Sequence, residues 1–228
     1  MRCLDVGCGG GAVTMDLARR VGAGGAAGGI DLDEVKLELA RVAAVADGLA
    51  NVEFRAMNVY ELAEPQSFDV VYCRFVLQHL ERPDEVLRAT WAAVRPGGVL
   101  VVEDADFEGL FCDPPNDGFA FYARSYQQVL ARHGGNPVVG RTLHRLFTEA
   151  GVSAPEFDVV MTVASDGDAK ALPLLTLGAT ADLIVQDGIA TRAEVDAASS
   201  SLAPFIADHA TVIGSPRAFQ AWSRRPVS

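Results

Sequence analysis

The chain is short of cations, of paired cysteines and of long apolar runs. Its 228 residues carry 19 Lys and Arg against 30 Asp and Glu, a formal net charge of −11. So acidic a molecule is poorly suited to gripping a phosphate backbone or an anionic lipid surface. The four cysteines, Cys3, Cys8, Cys73 and Cys112, form no C-x-x-C pair, which removes the zinc-knuckle and disulfide-framework readings. No His/Asp cluster has ligand spacing, so no metal is expected. Even the apolar stretch Ala171–Val185 is broken by Pro173 and Asp182 and falls short of a membrane span. The opening residues Met1-Arg2-Cys3-Leu4-Asp5 lack the uninterrupted apolar region of a secretion signal. Against these absences, 50% of the residues are apolar, enough to bury a sizeable core and exclude disorder. The expectation is a cytoplasmic, reduced protein that handles a small molecule.

Up to residue 103 the chain alternates strand and helix. Arg2–Val6 reads as a short strand, the glycines from Gly7 to Gly11 as a turn, and Ala12–Val21 as a helix. Ala27–Leu32 is a second strand. Asp33 is placed to cap a helix reaching Asp47, with Val35, Leu39, Val42, Val45 and Ala46 as its apolar stripe. Val52–Ala56, Phe68–Cys73 and Val99–Glu103 are further strands, with a helix over Asp84–Val94. Such alternation predicts an α/β fold, doubly wound around a mostly parallel sheet. The rhythm changes after residue 103. Helices are expected near Gly118–His133, Arg141–Ala150, Ala169–Gln186 and Arg192–Asp208, a strand over Glu156–Val163, and a closing hairpin around Gly214-Ser215-Pro216. The whole, 1–228, reads as one domain with two helical insertions.

Leu4-Asp5-Val6-Gly7-Cys8-Gly9-Gly10-Gly11 ends a strand and opens a helix. Glycines there let a ligand approach the backbone, and the helix start offers unpaired N–H groups. Gly7-x-Gly9-x-x-Ala12, with an acid about 20 residues later, also satisfies the dinucleotide pattern, so the loop alone leaves a nicotinamide-dependent oxidoreductase open.

Three further stretches accompany that loop: Gly29-Ile30-Asp31, Phe68-Asp69-Val70-Val71-Tyr72-Cys73 and Val94-Arg95-Pro96-Gly97-Gly98-Val99-Leu100. In this order and near this spacing they resemble the class I S-adenosylmethionine (SAM)-dependent methyltransferases of small-molecule type. The resemblance covers roughly residues 2–103. It implies a seven-stranded sheet with an antiparallel last strand, helical insertions after strands 5 and 6, a SAM-binding half over 1–103 and a substrate-side half over 104–228. It implies SAM as methyl donor and S-adenosylhomocysteine as product. Gly7, Cys8, Gly9 and Gly11 would admit the methionine and ribose parts of SAM, and Asp5 would help hold the amino group. Asp31 would accept from both ribose hydroxyls and Leu32 would lie against the adenine. Asn58, where the family often has Asp, and Val59 would meet the ring edge, while Cys73 and Arg74 would serve the amino-acid end.

A methyl on a sulfonium is already activated, so alignment matters more than strong acid–base help. A base is needed only for a hydroxyl or protonated amine. The candidates after strands 4 and 5 are His79 and Asp104, with Asp106, His133 and His144 behind them. His79 reads more readily as a positioning group, and His133 as a helix cap. Phe107, Phe111, Phe119, Phe121, Tyr122 and Tyr126 bring six aromatics to the inserted segment; core packing of the inserted helix is expected to use some of them and the remainder to line a pocket for a flat or apolar acceptor. Asp113-Pro114-Pro115-Asn116 looks like the motif of DNA amino-methyltransferases but stands after the wrong strand, and is assigned to a stiff loop. The expected partner is a small-molecule acceptor methylated on O, N or C, an aromatic or polyketide-like metabolite from the aromatic insertion, with no nucleic acid or membrane; a homodimer is allowed for. The alternative is a SAM-binding domain without transferase activity, a sensor or partner subunit. Family members carry some tens of residues before the first strand, so this chain is expected to bind SAM more weakly than a longer form.

Overall fold

The computed structural model describes residues 1–227. The first half builds β1 (Arg2–Val6), α1 (Ala12–Val21), β2 (Ala26–Asp31), α2 (Glu34–Ala46), β3 (Val52–Ala56), β4 (Phe68–Arg74), α3 (Pro83–Ala93) and β5 (Val94–Asp106). The second half adds β6 (Phe111–Asp113), α4 (Asp117–Arg132), α5 (Leu143–Glu149), β7 (Glu156–Val160), β8 (Val163–Ala164), α6 (Gly167–Gln186), α7 (Arg192–Ala207), β9 (Val212–Gly214) and β10 (Arg217–Arg224). The main sheet has seven strands in the order β3-β2-β1-β4-β5-β10-β7. β10, the last in the chain, runs antiparallel to both neighbours. The order reverses between β1 and β4, and open α/β sheets bind ligands outside the carboxyl ends of strands at such a switch. The seven-stranded, doubly wound architecture expected from the motifs is therefore present, with α4 inserted after β5 and α6 and α7 after β7.

Two large apolar cores form, with smaller clusters beside them. Leu4, Val71, Cys73, Leu100 and Val102 pack one face of the sheet against α3 and α5. The inserted helices build the other from Phe119, Leu177, Ile184, Leu202, Phe205 and Ile213. α4 and α7 approach closely at Gly118, where a Cβ would stand 2.4 Å from the Ala198 carbonyl oxygen. Asn116 closes the same junction: its Oδ1 accepts from Phe119 N at 2.9 Å as the α4 N-cap, and its Nδ2 faces Ser201 at 3.4 Å. The Asp-Pro-Pro-Asn stretch is thus the lead into a capped helix. Asn116→Ala is expected to cost about 1–2 kcal/mol, read as a lower midpoint in urea with an unchanged slope; an unchanged midpoint would deny the cap its role.

At the root of the insertion, Asp106 is 1% exposed. Arg141 approaches its carboxylate at 2.7 Å, and Arg217 pairs with it at 2.9 Å. Arg141 also reaches Glu108 at 2.7 Å. These guanidinium groups compensate a charge that would otherwise be costly to bury, and they consume Asp106 as a catalytic candidate.

Two sequence expectations are corrected. The stripe Val35, Leu39, Val42, Val45 on α2 faces outward, each residue at least 60% exposed, while Leu37, Ala40 and Ala44 are buried. α2 packs over Phe54 through Leu37, Ala40 and Ala44, and it approaches the glycine loop closely at Ala40: a Cβ on Gly11 would stand 2.8 Å from the Ala40 side chain. The closing hairpin is absent. β9 pairs with β6 and β8 in a separate three-stranded sheet, and the chain changes sheets at Ser215-Pro216 to enter β10. No described helix is long and apolar enough to cross a membrane.

Candidate active site

β1 delivers the glycine loop to the switch point. Gly7, Gly9 and Gly11 have φ of 70°, 52° and 75°, a region that L side chains seldom adopt. A Cβ on Gly7 would also lie 2.2 Å from Val76, so the loop is held against the turn after β4. At Gly9 and Gly10 a Cβ would meet nothing within 4 Å; the loop faces open space there. Asp31, at the end of β2, is tied to the loop. Its Oδ2 accepts from Gly9 N at 2.8 Å and its Oδ1 from Asp33 N at 2.9 Å. With one backbone donor per oxygen, each retains a lone pair for a ligand hydroxyl.

Beside Asp31, Leu32 is 68% exposed, an apolar surface with no cover from the protein. Asn58 caps the short turn after β3 through Tyr60 N at 3.1 Å, and Met57 N ties that turn to the Asp31 carbonyl at 2.9 Å. Val59 is buried in the main core, so only its backbone can serve a ligand. A paired acceptor for a diol, an exposed leucine and an obstacle-free glycine loop fit a nucleoside joined to an amino-acid tail. The residues suit SAM.

Under the loop, Asp5 is 3% exposed and accepts from the Thr14 hydroxyl at 2.7 Å. Burial pushes its pKa up to about 6, against the Thr14 hydrogen bond and the nearby positive charge of Arg74. Burial also pushes the Cys8 thiol up to about 12, and the Cys73 thiol well above its usual range. Neither is a nucleophile near neutral pH. Cys73 points into the main core and can offer only backbone, whereas Arg74 is exposed at the end of β4 beside Phe75.

A cavity of about 490 Å³ opens from Arg74 toward the insertion. Phe107, Tyr122, Tyr126, Leu172, Pro173 and Ile213 form much of its wall. Tyr122 and Tyr126 stack at 6.2 Å between centroids, and Phe107 tilts against Tyr126 at 5.0 Å. The six aromatics of the insertion divide between core and pocket as expected: Phe107, Tyr122 and Tyr126 reach the cavity. Phe119 is a core residue, Phe121 packs beside it, and Phe111 is 41% exposed.

The polar end of the cavity comes from strand residues. Glu103 and Gln220 are register partners on β5 and β10, and Gln220 Nε2 donates to Glu103 Oε1 at 2.9 Å. Glu103 is also in register with Arg74 across β4. Asp104 is on the other face of β5, 0% exposed, its carboxylate accepting from Ala105 N at 2.9 Å and Gln78 N at 3.3 Å. Burial raises its pKa to about 7. The reading of Asp104 as a group facing the acceptor is corrected by strand alternation: Glu103, one residue earlier, lines the cavity. Sequence reasoning missed Glu103, which differs from Asp104 by one residue and so by one face of the sheet.

Gln78 also lines the cavity. Its Nε2 faces the Phe75 carbonyl at 3.4 Å and His79 Nε2 at 3.2 Å, and its Oε1 is buried without a partner. His79 itself is exposed. Desolvation, then the charge of Lys36, hold its pKa below the usual histidine value, consistent with a neutral ring that accepts from Gln78. His79 therefore reaches the cavity through Gln78. His133 pairs with Asp187 at 3.0 Å at the end of α4, and His144 is exposed beside Phe157.

A family model described as a methyltransferase domain matches residues 1–151. A ubiquinone biosynthesis O-methyltransferase of Neisseria meningitidis serogroup A is 43% identical over 103 residues, covering 43% of this chain and 42% of that protein. The protein of the same name from Bordetella avium is 44% identical over 135 residues, covering 58% and 52%. The chain thus spans about half the length of the curated relatives it matches. Among solved structures, a Bacillus halodurans protein described as a methyltransferase aligns over 99% of this chain and 92% of its own, with a TM-score of 0.65 and 18% identity.

Proposed function

Because the chain belongs to the class I SAM-dependent methyltransferases, we propose that it transfers a methyl group to an oxygen of a small, flat, aromatic molecule. The observation that carries this reading is the aromatic-walled cavity opening at Arg74, at the carboxyl end of β4. The choice of oxygen draws support from relatives named O-methyltransferases.

SAM supplies a methyl group already activated on a sulfonium. The chain's own work is to hold and align. Asp31 takes the ribose diol, Leu32 and Asn58 the adenine, and the backbone from Gly7 to Gly11 the tail. Arg74 pairs with the tail carboxylate, and Asp5 holds the ammonium. Tyr122, Tyr126 and Phe107 clamp the acceptor ring so that its oxygen stands in line, which is where most of the acceleration originates. His79 keeps Gln78 oriented at the cavity wall.

The reading is tested by thermal unfolding with SAM, S-adenosylhomocysteine or NADH, followed by transfer of labelled methyl from SAM to a panel of phenols and catechols. At 100 times its dissociation constant a ligand adds about 2.7 kcal/mol, roughly 5–10 °C for a chain of this size. The expected rise occurs with SAM and its product only, and label appears on a phenolic oxygen. Binding without transfer to any acceptor would favour the sensor or partner-subunit alternative, and a rise with NADH the oxidoreductase.

A further inference from the structure

The turn after β4 holds a backbone outlier. Phe75 has a φ of 55°, in the left-handed region that a bulky side chain rarely enters. Two bonds hold it there. Phe75 N donates to the Glu103 carbonyl at 2.9 Å, and Gln78 Nε2 donates to the Phe75 carbonyl at 3.4 Å. The next residue, Val76, is seated against Gly7, where a Cβ would stand 2.2 Å from it. The turn is therefore fixed both from β5 and from the glycine loop.

That outlier decides where the ring goes. Along β4, Val71 and Cys73 face the main core, and strand alternation would send Phe75 after them. Instead its ring is 41% exposed and lines the cavity beside Arg74, whose guanidinium carbon lies 5.6 Å from the ring centroid. Glycine would adopt this turn without strain, but it would leave that wall without a ring. Of the described aromatic residues lining the cavity, Phe107, Tyr122 and Tyr126 come from beyond β5. Phe75 alone comes from the strand end that borders the glycine loop.

We propose that Phe75 is a specificity-determining residue: its ring is the surface on which a planar acceptor is laid beside the methyl donor, and the left-handed turn is what puts it there. The assignment rests on the methyl-transfer reading above. Offset-stacked rings attract one another beyond the area they bury. A planar acceptor offers Phe75 a whole face, whereas a saturated ring of equal size offers only its axial C–H groups. The wall at Phe75 therefore discriminates by shape.

The test compares wild type with Phe75→Gly, Phe75→Ala and Phe75→Tyr, each in the complex with S-adenosylhomocysteine. The probe is 4-nitrophenol, its affinity read by calorimetry; where label transfers to another phenol, that phenol replaces it. Glycine and alanine both remove the ring and are expected to weaken binding about ten- to hundredfold. Tyrosine keeps the ring and should stay within about threefold of wild type, as should S-adenosylhomocysteine affinity throughout. In competition, the preference for phenol over cyclohexanol should fall by about tenfold in the glycine variant. Stability separates this role from a structural one. Glycine accommodates the φ of 55° and alanine does not, so Phe75→Gly should unfold about 2–4 °C above Phe75→Ala, while the two lose the same affinity. An affinity loss below about threefold, an unchanged preference, or losses that follow stability overturn the assignment. So does failure of both variants to fold, which would make the ring a structural support. A wild type that binds S-adenosylhomocysteine but neither binds nor methylates any phenol or catechol overturns instead the reading beneath it.

Discussion

Replacing Asp31 by Ala is expected to weaken S-adenosylhomocysteine binding by about 10²–10⁴-fold in calorimetric titration. The carboxylate is oriented by Gly9 N at 2.8 Å and Asp33 N at 2.9 Å, one donor to each oxygen. Each oxygen has capacity left for one ribose hydroxyl. Hydrogen bonds to an ionised group are worth about 1.5–3 kcal/mol apiece, so two account for about 3–6 kcal/mol, or that range of dissociation constant. Truncation has a second effect, since Gly9 N loses the partner that fixes the loop over open space. Asp31→Asn keeps one acceptor oxygen and is expected to lose less, roughly tenfold to a hundredfold. Because Asp31 is half-exposed, water can satisfy the freed N–H groups, so the unliganded stability should barely move. A loss of less than about fivefold with the alanine variant would remove Asp31 from the nucleoside site.

Much of this site was legible because it is local. A strand, a glycine turn and a helix start are neighbours in sequence, and the acid ending β2 lies a predictable distance on. What could not be read depends on parity and on partner size. On β5 the sequence pointed to the correct strand end, but Asp104 and Glu103 differ by one residue and so by one face of the sheet. Which face meets the cavity is decided by the inserted helices, distant in sequence. On α2 the valines suggested the buried stripe, yet the face turned to Phe54 and the glycine loop is Leu37, Ala40 and Ala44. Two of those three side chains are alanines, and hydrophobic periodicity gives them little weight. The strand change at Ser215-Pro216 was read as a hairpin because turn residues mark a bend without saying which strands it joins. β9 finds its partners in β6 and β8, segments too short to announce themselves.

Asp104, displaced from the cavity, is expected to reveal itself through pH. Its folded pKa, raised by burial to about 7, stands above the ordinary aspartate value near 3.9. Between those values the folded chain binds a proton that the unfolded chain has released, so stability must fall as pH rises through the window. The slope is about 1.4 kcal/mol per pH unit while the two states differ by a full proton. Asp104→Asn removes the titration and retains nearly the shape of the protonated acid. Wild type and variant should therefore be of similar stability below about pH 4, and between pH 5 and pH 8 the variant's advantage should grow by about 2–3 kcal/mol. That corresponds to roughly 5–10 °C in midpoint. Asp5, whose pKa is also raised by burial, to about 6, titrates in both proteins and cancels from the difference. A gap that stays constant from pH 5 to pH 8 would mean that the Asp104 carboxylate is ionised throughout, held so by the N–H groups of Ala105 and Gln78. The distinction matters for the cavity, because the Gln78 backbone is bonded to Asp104 while the Gln78 side chain lines the acceptor wall. If Asp104 titrates near neutrality, its proton alters the anchor of that wall, and acceptor affinity in wild type, but not in Asp104→Asn, should change over the same pH interval.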